Sequence, residues 1–176
     1  MTPTKAVDTV MFLFRDLITQ PGDTIRLHRD KIEERGTCLW GWWKKLMEDV
    51  PVDLLLDVAR NGDNDIFLFD SGVHEVYRAR LDGILVAPSS DGMYSPDITL
   101  TPEYYVHLRL VTWLRLSQIE RVRERAQLFR TLRFASFPSW PTNTYEEVIG
   151  QEVLGTDQLD EMKVTMWHLQ VVTELE

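Results

Sequence analysis

Between residues 38 and 43 the chain reads CLWGWW, three indoles in four positions. An indole buries on the order of 200 Å² when it packs, so this hexapeptide needs more cover than any other stretch of its length. Residues 37–43 read as a strand. Its alternation sets Cys38, Trp40 and Trp42 on one face and Leu39, Gly41 and Trp43 on the other. All three tryptophans therefore cannot enter one core, and at least one must lie on the opposite surface, in a pocket or under a loop. A glycine inside a strand marks a bulge or a close approach by a ligand or another backbone. Lys44 and Lys45 follow at once and put positive charge at the strand's end.

The flanking sequence builds a sheet around this strand. Residues 7–17, rich in Val, Phe and Leu, predict a first strand that ends before Gly22. Residues 23–36 predict an amphipathic helix, capped by Asp23 or Thr24, with Ile25, His28 or Arg29, and Ile32 on one face and Gly36 as its stop. A short helix is expected from Pro51 to Arg60. Residues 65–70 and 73–87 read as a hairpin about Asp70-Ser71-Gly72, with Val73, Glu75, Tyr77, Ala79 and Leu81 on one side of the second strand.

Residues 88–102 lack the composition for a regular element, and a helical turn follows Pro102. Residues 108–120 read as a strand, with Leu110, Thr112, Leu114 and Leu116 alternating against Val111, Trp113 and Arg115. Residues 121–132 either extend it or form a short helix. Residues 134–144 read as a second loop, 144–155 are ambiguous, and 163–172 predict a final strand. The sum is a single domain over 1–176 of the α+β class. It is a mixed curved sheet of about six strands, or a small β-barrel, with a few flanking helices.

Charge and cysteine usage narrow the partners. The net charge is −9 and the isoelectric point about 4.9. Such a surface repels a phosphate backbone, which disfavours long duplex nucleic acid and favours a small ligand or a protein. Cys38 is the only cysteine, so no internal disulfide forms. A reducing, cytoplasmic location is the expectation. The N-terminal stretch has no signal-peptide pattern, and no apolar run approaches the roughly 20 residues that span a bilayer.

The common signatures of phosphate loops, dinucleotide folds, serine-hydrolase elbows and zinc sites are absent. His28, His74, His107 and His168 are scattered. Asp63, Asp65 and Asp70 lie close together in sequence and, with a histidine, would suit a metal-dependent phosphoester hydrolase. The competing reading is a solvated turn before a strand, and no cofactor or metal is expected. Cys38 reads as a small buried hydrophobe.

Two further groups bear on binding. In the YRAR stretch Tyr77 adjoins Arg78 and Arg80. The two arginines share a face, where guanidinium forks suit a phosphate or carboxylate; an exposed sheet face is the alternative. Tyr104, Tyr105 and Trp113 supply more aromatic surface near the long loop.

The order of a front strand, a helix, a tryptophan-bearing strand and then VYRARLDGILV resembles the PUA-like superfamily, which includes the EVE, ASCH and YTH modules. That resemblance implies a small curved barrel with flanking helices, and an aromatic pocket that holds a modified base. It implies recognition by Trp40, Trp42 or Trp43 with Lys44 nearby. The sequence thus predicts a non-catalytic binding module for a nucleobase, nucleotide or similar planar anionic ligand, with Trp40, Trp42, Trp43, Lys44, Tyr77, Arg78, Arg80 and Trp113 as ligand contacts. The alternatives are a protein-interaction or homo-oligomeric subunit anchored by the same tryptophans, and the metal-dependent hydrolase. No membrane contact is expected.

Overall fold

A computed structural model of the protein describes residues 3–16, 20–61, 65–139 and 164–174. Among these residues the elements run β1 (Thr4–Phe14), α1 (Asp23–Arg35), β2 (Cys38–Trp42), α2 (Val52–Arg60), β3 (Asp65–Asp70), β4 (Glu75–Val86), β5 (Thr112–Arg121), α3 (Arg125–Thr131), β6 (Leu132–Ser136) and β7 (Met166–Glu174). Two short 3-10 turns, Ile98–Leu100 and Glu103–Tyr105, lie between β4 and β5. The strands form one sheet in the order β2-β5-β4-β3-β1-β7-β6. It is mixed: β1 and β3 run parallel, and every other neighbouring pair is antiparallel. The α+β class holds. Of the two shapes expected, the structure has the open sheet and not the closed barrel, with β2 and β6 as its edges.

The chain's strongest apolar run explains the centre. Val10, Met11 and Phe12 are all buried, Val10 and Phe12 in the first core cluster and Met11 in the second. A strand covered on both faces needs an apolar residue at every position, so it shows no alternation. The parallel β1–β3 pair requires a crossover, and α1, β2 and α2 make up that connection. α1 and α2 cover one face with Ile25, Leu55 and Val58. On the other face α3 contributes Leu128 over Phe67, Phe69 and Trp167, and the β4–β5 connection lays Leu100 and Tyr105 over Leu39 and Trp113.

The hairpin of β3 and β4 forms as expected, in register from Asp65↔Arg80 to Asp70↔Glu75. Val73 does not join the alternation; it is exposed in the turn, where His74 takes a φ of 57°. β1 begins at Thr4 and stops at Phe14, because β7 pairs with it as far as Thr4↔Glu174. Residues 134–136, expected in a loop, belong to β6. That five-residue strand changes register on β7 between Phe134 and Ser136, which hides its pattern.

Residues 121–132 resolve into the end of β5, the whole of α3 and the first residue of β6. The C-terminal strand lies inside the sheet, between β1 and β6. The ambiguous stretch at 144–155 lies outside the described residues. Neither Asp23 nor Thr24 caps α1. Gly22 holds the N-cap with a φ of 86°, and the Asp16 carboxylate accepts from the Gly22 and Thr24 N–H groups.

Candidate functional site

β2 arranges its side chains as the alternation requires, and all five of its residues are buried. The Trp40 ring lies 4.4 Å from the His28 ring of α1 and meets Phe14 edge-on at 5.1 Å. Trp42 meets Phe12 edge-on at 5.3 Å, and its indole N–H donates to the Thr165 hydroxyl at 2.9 Å. Gly41 faces the other way. A Cβ there would fall 2.2 Å from Leu110 Cδ1 and 3.0 Å from Trp113 Cζ3. The close approach signalled by this glycine is therefore made by side chains of the chain itself.

Trp43 lies just past the strand and is 38% exposed. Its ring is 6.1 Å from that of Tyr105. Tyr105 in turn stands 5.5 Å from His28, 6.0 Å from Trp113 and 4.3 Å from Tyr104. Because β2 is a sheet edge, the turn at 103–105 brings rings to the edge that meet both α1 on one face and Trp113 on the other. Rings from four separate segments thus converge at the edge of β2, with Trp43 the half-open member.

Among the described residues two polar atoms in this group have no hydrogen-bond partner. His28 is fully buried, and its Nδ1 lies 2.6 Å from the Thr24 carbonyl. A carbonyl only accepts, so Nδ1 carries the proton and donates. Burial pushes the imidazole pKa down to about 4, against the opposing pull of the Thr24 and Leu39 backbone. The ring is therefore neutral near pH 7, with Nε2 a bare acceptor that makes no well-formed hydrogen bond. The Tyr104 hydroxyl has Thr24 and Tyr105 for neighbours but satisfies hydrogen-bond geometry with neither. Burial raises the pKa of both tyrosines, and the Asp16 charge adds to it. The group thus combines stacked rings with one acceptor and one hydroxyl that are both buried.

The eight residues singled out in the sequence separate in space. Trp40, Trp42 and Trp113 are inside the protein, at 2% exposure or less, and the Trp113 indole N–H donates to the Met93 carbonyl at 3.2 Å. Trp43 is at the surface, with Lys44 next to it, whose Nζ donates to the Lys45 carbonyl at 3.4 Å. Tyr77 is buried away from this edge, its hydroxyl donating to Glu75 at 2.7 Å and its ring lying under Arg29. Arg78 and Arg80 do share an exposed face of β4, but each already meets an acid, Asp65 at 3.8 Å and Asp82 at 3.6 Å. Among the described residues no contact joins either arginine to the tryptophans.

Asp65 and Asp70 stand at opposite ends of β3, five steps and about 16 Å apart along the strand. Asp70 accepts from the Gly72 N–H at 2.9 Å, and burial raises its pKa. Asp63 lies outside the described residues. Among those described, no cluster of three or more histidine, cysteine or acidic side chains has metal-binding geometry. Cys38 is buried, and that burial pushes its thiol pKa up to about 12.

Sequence reasoning missed Glu48 altogether. This buried carboxylate accepts from the Lys45 N–H at 2.9 Å, the Ser139 hydroxyl at 2.6 Å, and the Thr165 N–H and hydroxyl at 3.0 and 2.6 Å. It fixes the turn that follows the tryptophans. That turn presents Leu46 at 93% and Met47 at 69% exposure. Nothing in MED sets this glutamate apart from a surface acid, because all its partners but Lys45 lie 91 and 117 positions away.

A search of curated proteins and one of solved structures each return no significant match. Among the described residues no helix is long and apolar enough to cross a membrane. The family model described as Pua-like matches residues 10–174, from the centre of β1 to the last residue of β7. The match takes in the sheet from the centre of β1 onward and the aromatic edge, and the chain belongs to the Pua-like family.

Proposed function

We propose that this protein is a non-catalytic binding module that takes a planar, nucleobase-like ligand at the edge of β2. Trp43 and the Tyr104–Tyr105 pair supply the stacking faces. The observation that carries this reading is the pair of unpartnered polar atoms, His28 Nε2 and the Tyr104 hydroxyl, next to rings that reach the surface at Trp43. Leaving such groups unsatisfied costs about 1–3 kcal/mol each. A heterocycle with an N–H beside an acceptor would satisfy both. Asp16 and Asp23 lie near the tyrosines, so the anionic part of a nucleotide would point to Lys44 instead. Stacking contributes about 1–3 kcal/mol per base.

The test is a titration of intrinsic tryptophan fluorescence with a panel of nucleosides and nucleotides, repeated on Trp43→Ala and Tyr104→Phe. Saturable quenching that weakens about tenfold or more in Trp43→Ala is expected. Unchanged affinity in both variants would sink the stacking model.

A second reading has its own support. Trp43, Leu46 and Met47 form an exposed apolar tip beside two lysines, held by Glu48. Such a preset tip suits a protein contact, with Trp43 as the anchor. Light scattering across a concentration series reports self-association, and Leu46→Asp is expected to abolish it.

A further inference from the structure

The chain is acidic overall, yet residues 121–133, RVRERAQLFRTLR, hold five arginines and one glutamate. The segment runs from the last residue of β5 through α3 into β6. Three of the arginines are engaged. Arg121 meets Glu75 at 3.3 Å, Arg125 donates to the His74 carbonyl, and Arg133 donates through Nε to Gln170 Oε1 at 3.1 Å. Arg123 and Arg130 are exposed and, among the described residues, make no hydrogen bond or ion pair. Buried Leu128 and half-buried Phe129 pin the helix to the second core cluster. The backbone that carries Arg130 is thereby fixed at the surface, and Arg123 lies in the bend just before it.

This basic surface cannot serve the aromatic edge. Trp42 pairs with Thr112 at one end of β5, and Arg121 is the other end. Nine steps of antiparallel strand separate them by about 30 Å, several times the span of one nucleotide. The two features therefore answer to different partners.

We infer that the Arg121–Arg133 segment is a docking surface for an acidic stretch of a partner protein, with Arg123 and Arg130 as its principal contacts. The argument is charge complementarity under screening. At physiological salt the Debye length is about 8 Å, so a short acidic segment lying on the helix feels the local arginines and little of the remaining acidic surface. A nucleic acid strand extends past the patch and meets the chain's net charge of −9. Arginine forks also grip carboxylates in pairs, which lysines do not do.

The experiment is fluorescence anisotropy of labelled tetraglutamate with the full chain, at about 50 and about 200 mM salt. It is repeated with R123E/R130E, with the milder R123Q/R130Q, and with K44E/K45E at the lysine pair that follows β2; circular dichroism checks that each is folded. Expected are binding that weakens with salt, a loss of about tenfold or more in R123E/R130E, a smaller loss in R123Q/R130Q, and no more than about a twofold change in K44E/K45E. The proposal is overturned if wild type does not bind the peptide, or if both Arg123/Arg130 variants bind as wild type does. It is equally overturned if K44E/K45E abolishes binding, or if a single-stranded oligonucleotide of equal charge displaces the peptide and binds more tightly through the same arginines.

Discussion

The Trp42 indole N–H donates to the Thr165 hydroxyl, which itself donates to Glu48. This short relay ties the tryptophan strand to the chain just before β7, and Glu48 gathers the turn after Trp43 and Ser139 onto the same carboxylate. Substituting Glu48 by alanine leaves four donors without an acceptor. The expected loss is about 3 kcal/mol or more, read as a lower midpoint in equilibrium urea unfolding at unchanged slope. Thr165→Val removes one hydroxyl and should cost about 1–2 kcal/mol. If Glu48→Ala unfolds at the wild-type midpoint, the carboxylate does not hold the turn.

His28 predicts a pH dependence. Its pKa is near 6.5 when unfolded and about 4 when folded, so in between only the unfolded chain binds the proton. Stability is full above pH 6.5, falls as pH drops from about 6.5 to about 4, and loses nothing further to this group below that. The span corresponds to about 3 kcal/mol. Asp8 acts lower down, because its hydrogen bond from His168 takes its pKa below 3.8. Urea midpoints at half-unit pH steps, for wild type and His28→Gln, check the assignment. A wild-type slope between pH 6.5 and 4 that survives in His28→Gln would assign it elsewhere.

Gly41 and Gly92 are both crowded but should respond differently. At Gly41 the nearest atom is the end of the Leu110 side chain at 2.2 Å. Gly41→Ala should cost about 1–3 kcal/mol, and trimming Leu110 to alanine in the same chain should recover part of it. Gly92 has a φ of +79° and backbone atoms of Arg109 and Leu110 at 3.0 Å. No side-chain trimming relieves that, so Gly92→Ala with Leu110→Ala should show no recovery. Thermal unfolding of the single and double variants separates the two cases.

Cys38 should be chemically silent in the native state. With its thiol pKa at about 12 and no exposure, almost no thiolate forms at pH 8. Ellman's reagent should find no thiol in the folded protein and one after denaturation. Prompt native labelling would mean that β2 opens on the time scale of the assay.

The sequence was most legible where burial is one-sided or local. The alternation of CLWGWW placed Cys38, Trp40 and Trp42 together, and the Asp70-Ser71-Gly72 turn located the hairpin, because both patterns are set within a few residues. Long-range pairing was not legible. Nothing in VMFLF says that its neighbours are β3 in parallel and β7 from the far end of the chain. β6 was lost because five residues with a register shift carry too little pattern. At the site, Trp43 stood out as the tryptophan opposed to its neighbours, and Tyr104 and Tyr105 as aromatic supply. His28 showed only as a position on the inner face of α1. Its role depends on Trp40 and Tyr105 closing around it, a property of the assembled fold.

In the sheet β1, the first of the described strands in chain order, lies between β3 and β7, the last of them. Half of its hydrogen-bonding edge is filled only by residues synthesised about 160 positions later. On the ribosome the VMFLF strand therefore waits, with one edge open, until β7 has been made. An unpaired apolar strand is the form most prone to join another chain. Chaperone demand during synthesis should accordingly centre on the first strand rather than on the tryptophans.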